Sequence, residues 1–279
     1  ALTLLAPLHQ PRSLAALDAV GRAVPDLPAV ACFDTAFHAT LPPEASVYAI
    51  PREWRDGLGV RRYGFHGLSH AYASRRAVEL GADPRHVVVC HLGAGASLCA
   101  VREGRSVDTT MGFTPLEGLV MATRSGTVDP GAVLWLVTQA GLPAEEVADA
   151  LEHRSGLLGL AGTADMREVV TRAERGDGEA GLALGAYAHR LRSSIAAMVA
   201  SLGGLDTLVF TGGVGENAPT VRAAAAGGLG HLGVAFDPEA NRAAVPDADI
   251  TAPASHARVL VIAAREEVEI ARGVRQTVT

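Results

Sequence analysis

The chain has 279 residues, 48% of them hydrophobic and 19% charged, with a formal net charge of -6. That length and balance predict a globular chain with a sizeable buried core and exclude a disordered one. The acidic balance and the lack of a basic cluster exclude a nucleic-acid footprint, and all 24 basic residues are arginine.

The opening Ala-Leu-Thr-Leu-Leu-Ala-Pro has no basic region before its apolar stretch and makes a poor signal peptide. Residues 13–24 predict a helix ended by Pro25, and residues 29–33 a compact apolar strand that stops at Asp34. A helix over 69–80 is terminated by Gly81. Strands follow at 86–90, 98–101 and 106–108, with the Gly-rich loop His91-Leu92-Gly93-Ala94-Gly95-Ala96 between the first two. Helices are predicted at 130–139, 144–151 and 181–201. A strand at 207–210 enters a second Gly-rich loop, Thr211-Gly212-Gly213-Val214-Gly215-Glu216-Asn217, and a strand at 258–263 and a helix at 266–275 close the chain. This alternation of hairpins and helices predicts an α/β class with a mixed sheet. The longest apolar stretch, 195–210, is broken by Gly203, Gly204 and Asp206, so no membrane span is expected. Cys32, Cys90 and Cys99 fit no zinc or redox spacing and sit in or beside apolar runs. They predict buried thiols in a reducing compartment, hence a soluble cytoplasmic protein.

Glycines that leave a strand let backbone N–H groups approach a phosphate closely, and tight hairpins need glycine too. Two such loops favour a nucleotide site, although neither has the lysine of a P-loop or the βαβ context of a dinucleotide fingerprint. In Arg61-Arg62-Tyr63-Gly64-Phe65-His66-Gly67-Leu68-Ser69-His70 the two histidines stand four apart. That spacing fits a metal pair on one helix face, a structural histidine at 70, or an anion donor at His66. Thr123-Arg124-Ser125-Gly126 presents an arginine from a polar turn, where its planar donors suit phosphoryl oxygens; a solvated surface charge is the plainer alternative. Asp34 ends a strand, a position where sites gather. Glu266 and Glu267 open the last helix, where acidic residues complement the macrodipole.

Together these segments resemble the acetate kinase family. The matching segments are LAPLHQP (5–11), FDTAFH (33–38), RRYGFHGLSH (61–70), HLGAGAS (91–97), DTTMGFTPLEGL (108–119), SGLLGL (155–160), FTGGVGEN (210–217) and EEVEIAR (266–272). The resemblance implies a two-lobed α/β fold of the actin, Hsp70 and sugar-kinase type (ribonuclease H-like) with mixed sheets. Residues 1–37 and 267–279 would belong to an N-terminal lobe and 38–266 to a C-terminal nucleotide-binding lobe.

It also implies reversible Mg-ATP-dependent phosphorylation of acetate to acetyl phosphate, by a homodimer without nucleic-acid or membrane partners, Mn2+ substituting for Mg2+. Carried over, Asp34 would orient reactants, and His66 and Arg124 would stabilise the phosphoryl group in flight. Glu266 would hold magnesium. His91, Leu92, Gly93, Ala94 and Gly95, with Asp165, Met166 and Arg167 and with Gly212, Gly213, Val214, Gly215 and Glu216, would bind nucleotide. Leu8, Phe65 and Pro115 would line a pocket for the acetate methyl. Ala94 stands where the family usually has Asn. Nothing in the chain matches the family's Asn/Gly/Ser-rich phosphate segment or its further catalytic arginine, so the resemblance implies an incomplete N-terminal lobe, exposed sheet edges and an isolated chain without part of the phosphate site. A propionate or butyrate kinase and a non-catalytic nucleotide-binding protein of the same fold are the alternatives.

Overall fold

A computed structural model describes residues 10–278 apart from Asp26 and Pro28. Its centre is a mixed sheet of six strands, β1 (Val87–Leu92), β2 (Ala96–Arg102), β3 (Arg105–Thr109), β4 (Thr207–Thr211), β5 (Ala248–Asp249) and β6 (Arg258–Val261). Their order is β3-β2-β1-β4-β6-β5. The β1-β2-β3 meander is antiparallel, β4 lies parallel to both β1 and β6, and β5 returns antiparallel at the edge.

Helices α1 (Gln10–Ala23), α2 (Pro43–Ser46), α3 (Arg52–Leu58) and α4 (Gly67–Glu79) precede the sheet. Between β3 and β4 come α5 (Pro130–Thr138), α6 (Ala144–His153), α7 (Gly156–Ala161), α8 (Met166–Glu174) and α9 (Gly178–Leu202). Helices α10 (Gly212–Asn217), α11 (Pro219–Ala226) and α12 (Pro238–Ala243) follow β4, and α13 (Glu266–Val278) ends the described chain.

Strand residues alternate between two apolar layers, as a period of two requires. Val88, Cys90 and Leu92 of β1 face a large core with Leu191 and Ile195 of α9, while Val87 and Val89 face a smaller one with Tyr72, Ala73 and Ala77 of α4. Each fully buried aliphatic side chain such as Leu191 stabilises the sandwich by about 1.5–3 kcal/mol. The long crossover α9 begins where the Asp177 carboxylate accepts the amides of Glu179 and Ala180, which places its start three residues before the periodicity suggests.

The α/β class and mixed sheet agree with expectation, and four local readings change. Residues 29–33 join no ladder among the described residues, and Phe33 is exposed; apolar residues make a strand only beside a neighbour whose amides and carbonyls they can pair. His91 and Leu92 continue β1, so the first Gly-rich segment is a hairpin turn closed by the Gly93 amide on the Gly95 carbonyl at 2.9 Å. Gly212–Asn217 is a short helix, not a loop. Cys90 and Cys99 are buried as predicted, but Cys32 is only half-buried. Among the described residues no helix is long and apolar enough to cross a membrane.

Candidate active site

His66 sits at the hinge between an extended segment and α4, in the left-handed region at φ 56°. Two features hold it there. The Asp34 carboxylate accepts the amide of His66 at 2.6 Å and that of Leu68 at 3.3 Å, and the Asp34 carbonyl accepts the Gly67 amide at 2.8 Å. An acidic group thus occupies the positive end of α4. On the other side, His38 is wedged beneath Gly64 (φ 75°), where a Cβ would lie 2.6 Å from its ring, so only glycine fits. The His38 Nε2–H donates to the Phe65 carbonyl at 3.0 Å, and its Nδ1 meets Ser106 Oγ at 2.9 Å.

Four imidazoles gather here. His66 and His91 have ring centroids 4.4 Å apart, and His70 lies 5.7 Å from His38 and 6.4 Å from His91. His91 Nδ1 meets Ser69 Oγ at 2.7 Å, while His66 Nδ1 and His70 Nε2 share Ser97 Oγ at 3.0 and 2.7 Å. Burial pulls His38 down, His91 to about 3 and His70 well below the ordinary imidazole range. Those three are therefore neutral at pH 7. The metal-pair reading of His66 and His70 is overturned, because both aim a ring nitrogen at one serine hydroxyl. Among the described residues no group of three or more His, Cys, Asp or Glu is arranged to hold a metal ion.

Arg124 is delivered to the same place by a tightly pinned loop. The amide of Met121 donates to the Arg124 carbonyl at 3.2 Å, that of Ala122 to Ala94 at 3.1 Å and that of Ser125 to Leu151 at 3.0 Å. Gly156 (φ 61°) closes the loop against α7, since a Cβ there would overlap the Met121 carbonyl. Arg124 is half-buried, and burial lowers its guanidinium from the ordinary value; among the described residues it has no ion pair. Its Nη1 donates to the Pro115 carbonyl at 3.1 Å. The Pro115 loop is held by Glu117, which accepts from Tyr48 Oη at 2.5 Å and from Arg62 at 2.9 Å. A Cβ on Gly95 would lie 3.2 Å from His66 Nε2 and 3.4 Å from Arg124 Nη1, so the two side chains converge over the β1–β2 turn.

Beyond that turn opens a cavity of about 570 Å³ walled by Gly93 and Ala94, by Asp165, Met166 and Arg167 at the start of α8, and by Gly213 and Val214 of α10. Asp165 caps α8 by accepting the Arg167 amide at 2.9 Å. Arg222, 2% exposed, anchors α10: its Nη1 donates to the carbonyls of Gly215 and Glu216 at 2.8 Å each, and its other nitrogens bind Asn241.

The profile of the acetokinase family matches residues 1–272. The acetate kinase of Leifsonia xyli subsp. xyli is 54% identical over 278 residues, covering 98% of this chain and 70% of that protein. The chain belongs to the acetokinase family. The acetate kinase of Trichormus variabilis is 49% identical over 275 residues, 97% of this chain and 68% of its own. The crystal structure of Porphyromonas gingivalis acetate kinase superposes with a TM-score of 0.94 at 39% identity, covering all of this chain and 71% of that one. A Francisella tularensis propionate kinase gives 0.92 at 42% identity, over 98% and 70%. The actin/Hsp70/sugar-kinase type of α/β fold expected of an acetokinase is thereby shown.

The acetokinase site residues expected from the sequence fall into three groups. His66, Arg124 and Asp34 come together at the start of α4. Gly93, Ala94, Asp165, Met166, Arg167, Gly213 and Val214 line the cavity. The others support these two sets. Leu92 is fully buried core; Gly95 lies beneath His66 and Arg124; Gly212 and Gly215 are buried in the β4–α10 junction; Glu216 accepts the Ala264 amide at 2.9 Å, tying α10 to the segment before α13. Phe65 packs on the large core, Pro115 contacts Arg124, and Leu8 lies outside the described residues.

Glu266 opens α13 half-buried, its carboxyl raised by burial and by the neighbouring charges of Asp34 and Glu267. A carboxylate crowded by two like charges suits a divalent cation, and Mg2+ needs only one or two carboxylates besides phosphate and water. Sequence reasoning missed Ser97, His38, Arg222 and the cavity residue Tyr187.

Proposed function

We propose that this chain transfers the γ-phosphoryl group of ATP reversibly to acetate. The observation that carries the reading is the convergence of His66 and Arg124 over Gly95, at the mouth of the cavity walled by Gly93, Ala94 and the start of α8. A nucleotide in that cavity would present its terminal phosphate to the two side chains. One acetate oxygen forms the new bond to phosphorus while the bond to the β-phosphate oxygen breaks. The electron pair leaves on ADP, and no proton need move, because carboxylate is already ionised.

The protein's part is therefore positioning and charge stabilisation. Arg124 supplies a planar cation whose Pro115 bond fixes its plane, and His66 supplies a hydrogen-bond donor. Asp34 orients His66 by holding its amide, and Phe65 and Pro115 border the acetate methyl. Glu266 would hold Mg2+, which neutralises phosphate charge when bound, and Mn2+ would serve in its place.

Residues 38–266 form the nucleotide-binding lobe in this reading, and 1–37 with 267–279 belong to the other. The chain acts as a soluble cytoplasmic homodimer without nucleic-acid or membrane partners. The exposed apolar face of α5, with Leu134 and Trp135 at 64% and 57% exposure, supports self-association. Turnover with ATP, Mg2+ and acetate, trapped as the hydroxamate, tests the activity, and kcat/KM for propionate alongside tests the acid. Absence of turnover with either acid refutes the reading.

A further inference from the structure

His66 is tied into a side-chain chain that the transfer step does not itself require. Its Nδ1 lies 3.0 Å from Ser97 Oγ, and the same oxygen lies 2.7 Å from His70 Nε2. A hydroxyl has one proton and two lone pairs, so both imidazoles could donate to it only by stranding its own buried proton, for which no other acceptor stands among the described residues; one imidazole therefore donates to it and the other accepts from it. His70 decides which. It is fully buried, and its Nδ1 has no hydrogen-bond partner among the described residues. A proton on that nitrogen would leave a buried N–H orphaned, whereas a proton on Nε2 leaves only an unfilled acceptor, the better tolerated of the two. Burial also keeps His70 from carrying both protons.

The directions then follow in order. His70 Nε2–H donates to Ser97, Ser97 O–H donates to His66 Nδ1, and the His66 proton resides on Nε2. That edge is the one facing Gly95 beside Arg124.

We propose that Ser97 and His70 are positioning residues that lock His66 in the tautomer protonated at Nε2, so that it meets the transferring phosphoryl group as a donor; this rests on the phosphoryl-transfer reading above. A second chain supports the same turn from below. His38 must donate from Nε2, because its partner there is a carbonyl, so Ser106 donates to His38 Nδ1 and the peptide before His66 is fixed as well.

Histidine 15N NMR of the full chain at neutral pH reads the tautomer directly. The wild type is expected to show His66 protonated at Nε2, and Ser97→Ala to show a mixture. Ser97→Ala should lower kcat by about 10–100-fold, as when the partner fixing a functional histidine is removed, and leave the KM values for ATP and acetate near the wild type. His70→Gln places an amide N–H where Nε2–H stood and should restore both tautomer and kcat; His70→Leu should not. These two variants carry the test if Ser97→Ala fails to fold.

An Nδ1-protonated His66 in the wild type overturns the proposal, as does an unchanged tautomer in Ser97→Ala or equal kcat in the two His70 variants. The wild-type spectrum needs no turnover. An Nε2-protonated His66 in a protein that phosphorylates no acid supports the relay and refutes the kinase reading.

Discussion

Arg222 offers a measurable link between a buried cation and the nucleotide cavity. Replacing it with Met keeps the apolar stem and removes four hydrogen bonds, two to the carbonyls of Gly215 and Glu216 and two to Asn241. Opposing this loss is the desolvation of the guanidinium, which lowers Arg222 from its ordinary value and which the variant no longer bears. A buried acceptor left without its charged donor costs about 1–3 kcal/mol. Four of them outweigh the recovered desolvation and leave a net loss of about 3–5 kcal/mol. At roughly 2 °C per kcal/mol for a chain of this size, Tm should fall by about 6–10 °C. Lysine keeps the charge but not the fork, so Arg222→Lys should fall between the two.

The same carbonyls end α10, whose first turn carries Gly213 and Val214 into the cavity, so ADP affinity should weaken together with Tm. Calorimetry with and without ADP reads both. A Tm within about 2 °C of the wild type, which corresponds to less than about 1 kcal/mol, together with unaltered ADP affinity, would refute this link.

Arg124→Ala should cut kcat by about 10³–10⁵-fold, the range for an arginine on a transferring phosphoryl group, and Arg124→Lys should recover little because the fork is lost; a drop under tenfold in steady-state assays contradicts the role. Acid should destabilise the fold between pH 6.5 and about 3, since His38, His70 and His91 are held neutral with depressed values. The unfolded chain takes up protons there that the folded one refuses, so stability is present above pH 6.5 and falls with pH, approaching about 1.4 kcal/mol per unit for each histidine. A Tm flat from pH 7 to 5 would contradict this. Gly156→Ala places a methyl at φ 61° against the Met121 carbonyl. It should lose at least about 1–2 kcal/mol of stability and lower kcat by shifting Arg124, as thermal melts and turnover would show.

The sheet and its helices were legible because their signals are local. Apolar residues run unbroken through Val87–Cys90 of β1 and Leu208–Phe210 of β4, as strands buried on both faces require, and Gly81 stops α4 where the periodicity ends. Residues 29–33 carry the same local signal as β4 but join no ladder, because pairing is a property of two segments and the composition of one cannot show its neighbour. The two glycine-rich segments meet at one cavity for a reason that only the fold states. Gly93 and Gly95 close a hairpin, and Gly212 lets β4 turn directly into α10; Gly93 and Gly213 then bring backbone to the cavity wall.

What stayed hidden is long-range and chemically ordinary in sequence. Ser97 is only the last residue of the HLGAGAS segment until histidines 31 and 27 residues away close on its hydroxyl. Arg222 belongs to no motif and carries no signal until α10 places two carbonyls against it. In both cases a single polar atom inside an apolar layer must be satisfied by groups from other elements, so its geometry is over-determined once the core forms. Asp34 shows the coupling most directly. The carboxylate that the motif suggests for handling reactants already accepts two amides at the start of α4. The acid therefore builds the turn on which His66 stands, and the same layer that buries Leu98 and Ala100 fixes Ser97 on β2 beneath it. Core packing and the direction of the His66 proton are consequently one structural problem, which is why a change as small as the loss of the Ser97 hydroxyl should be felt at the phosphoryl group.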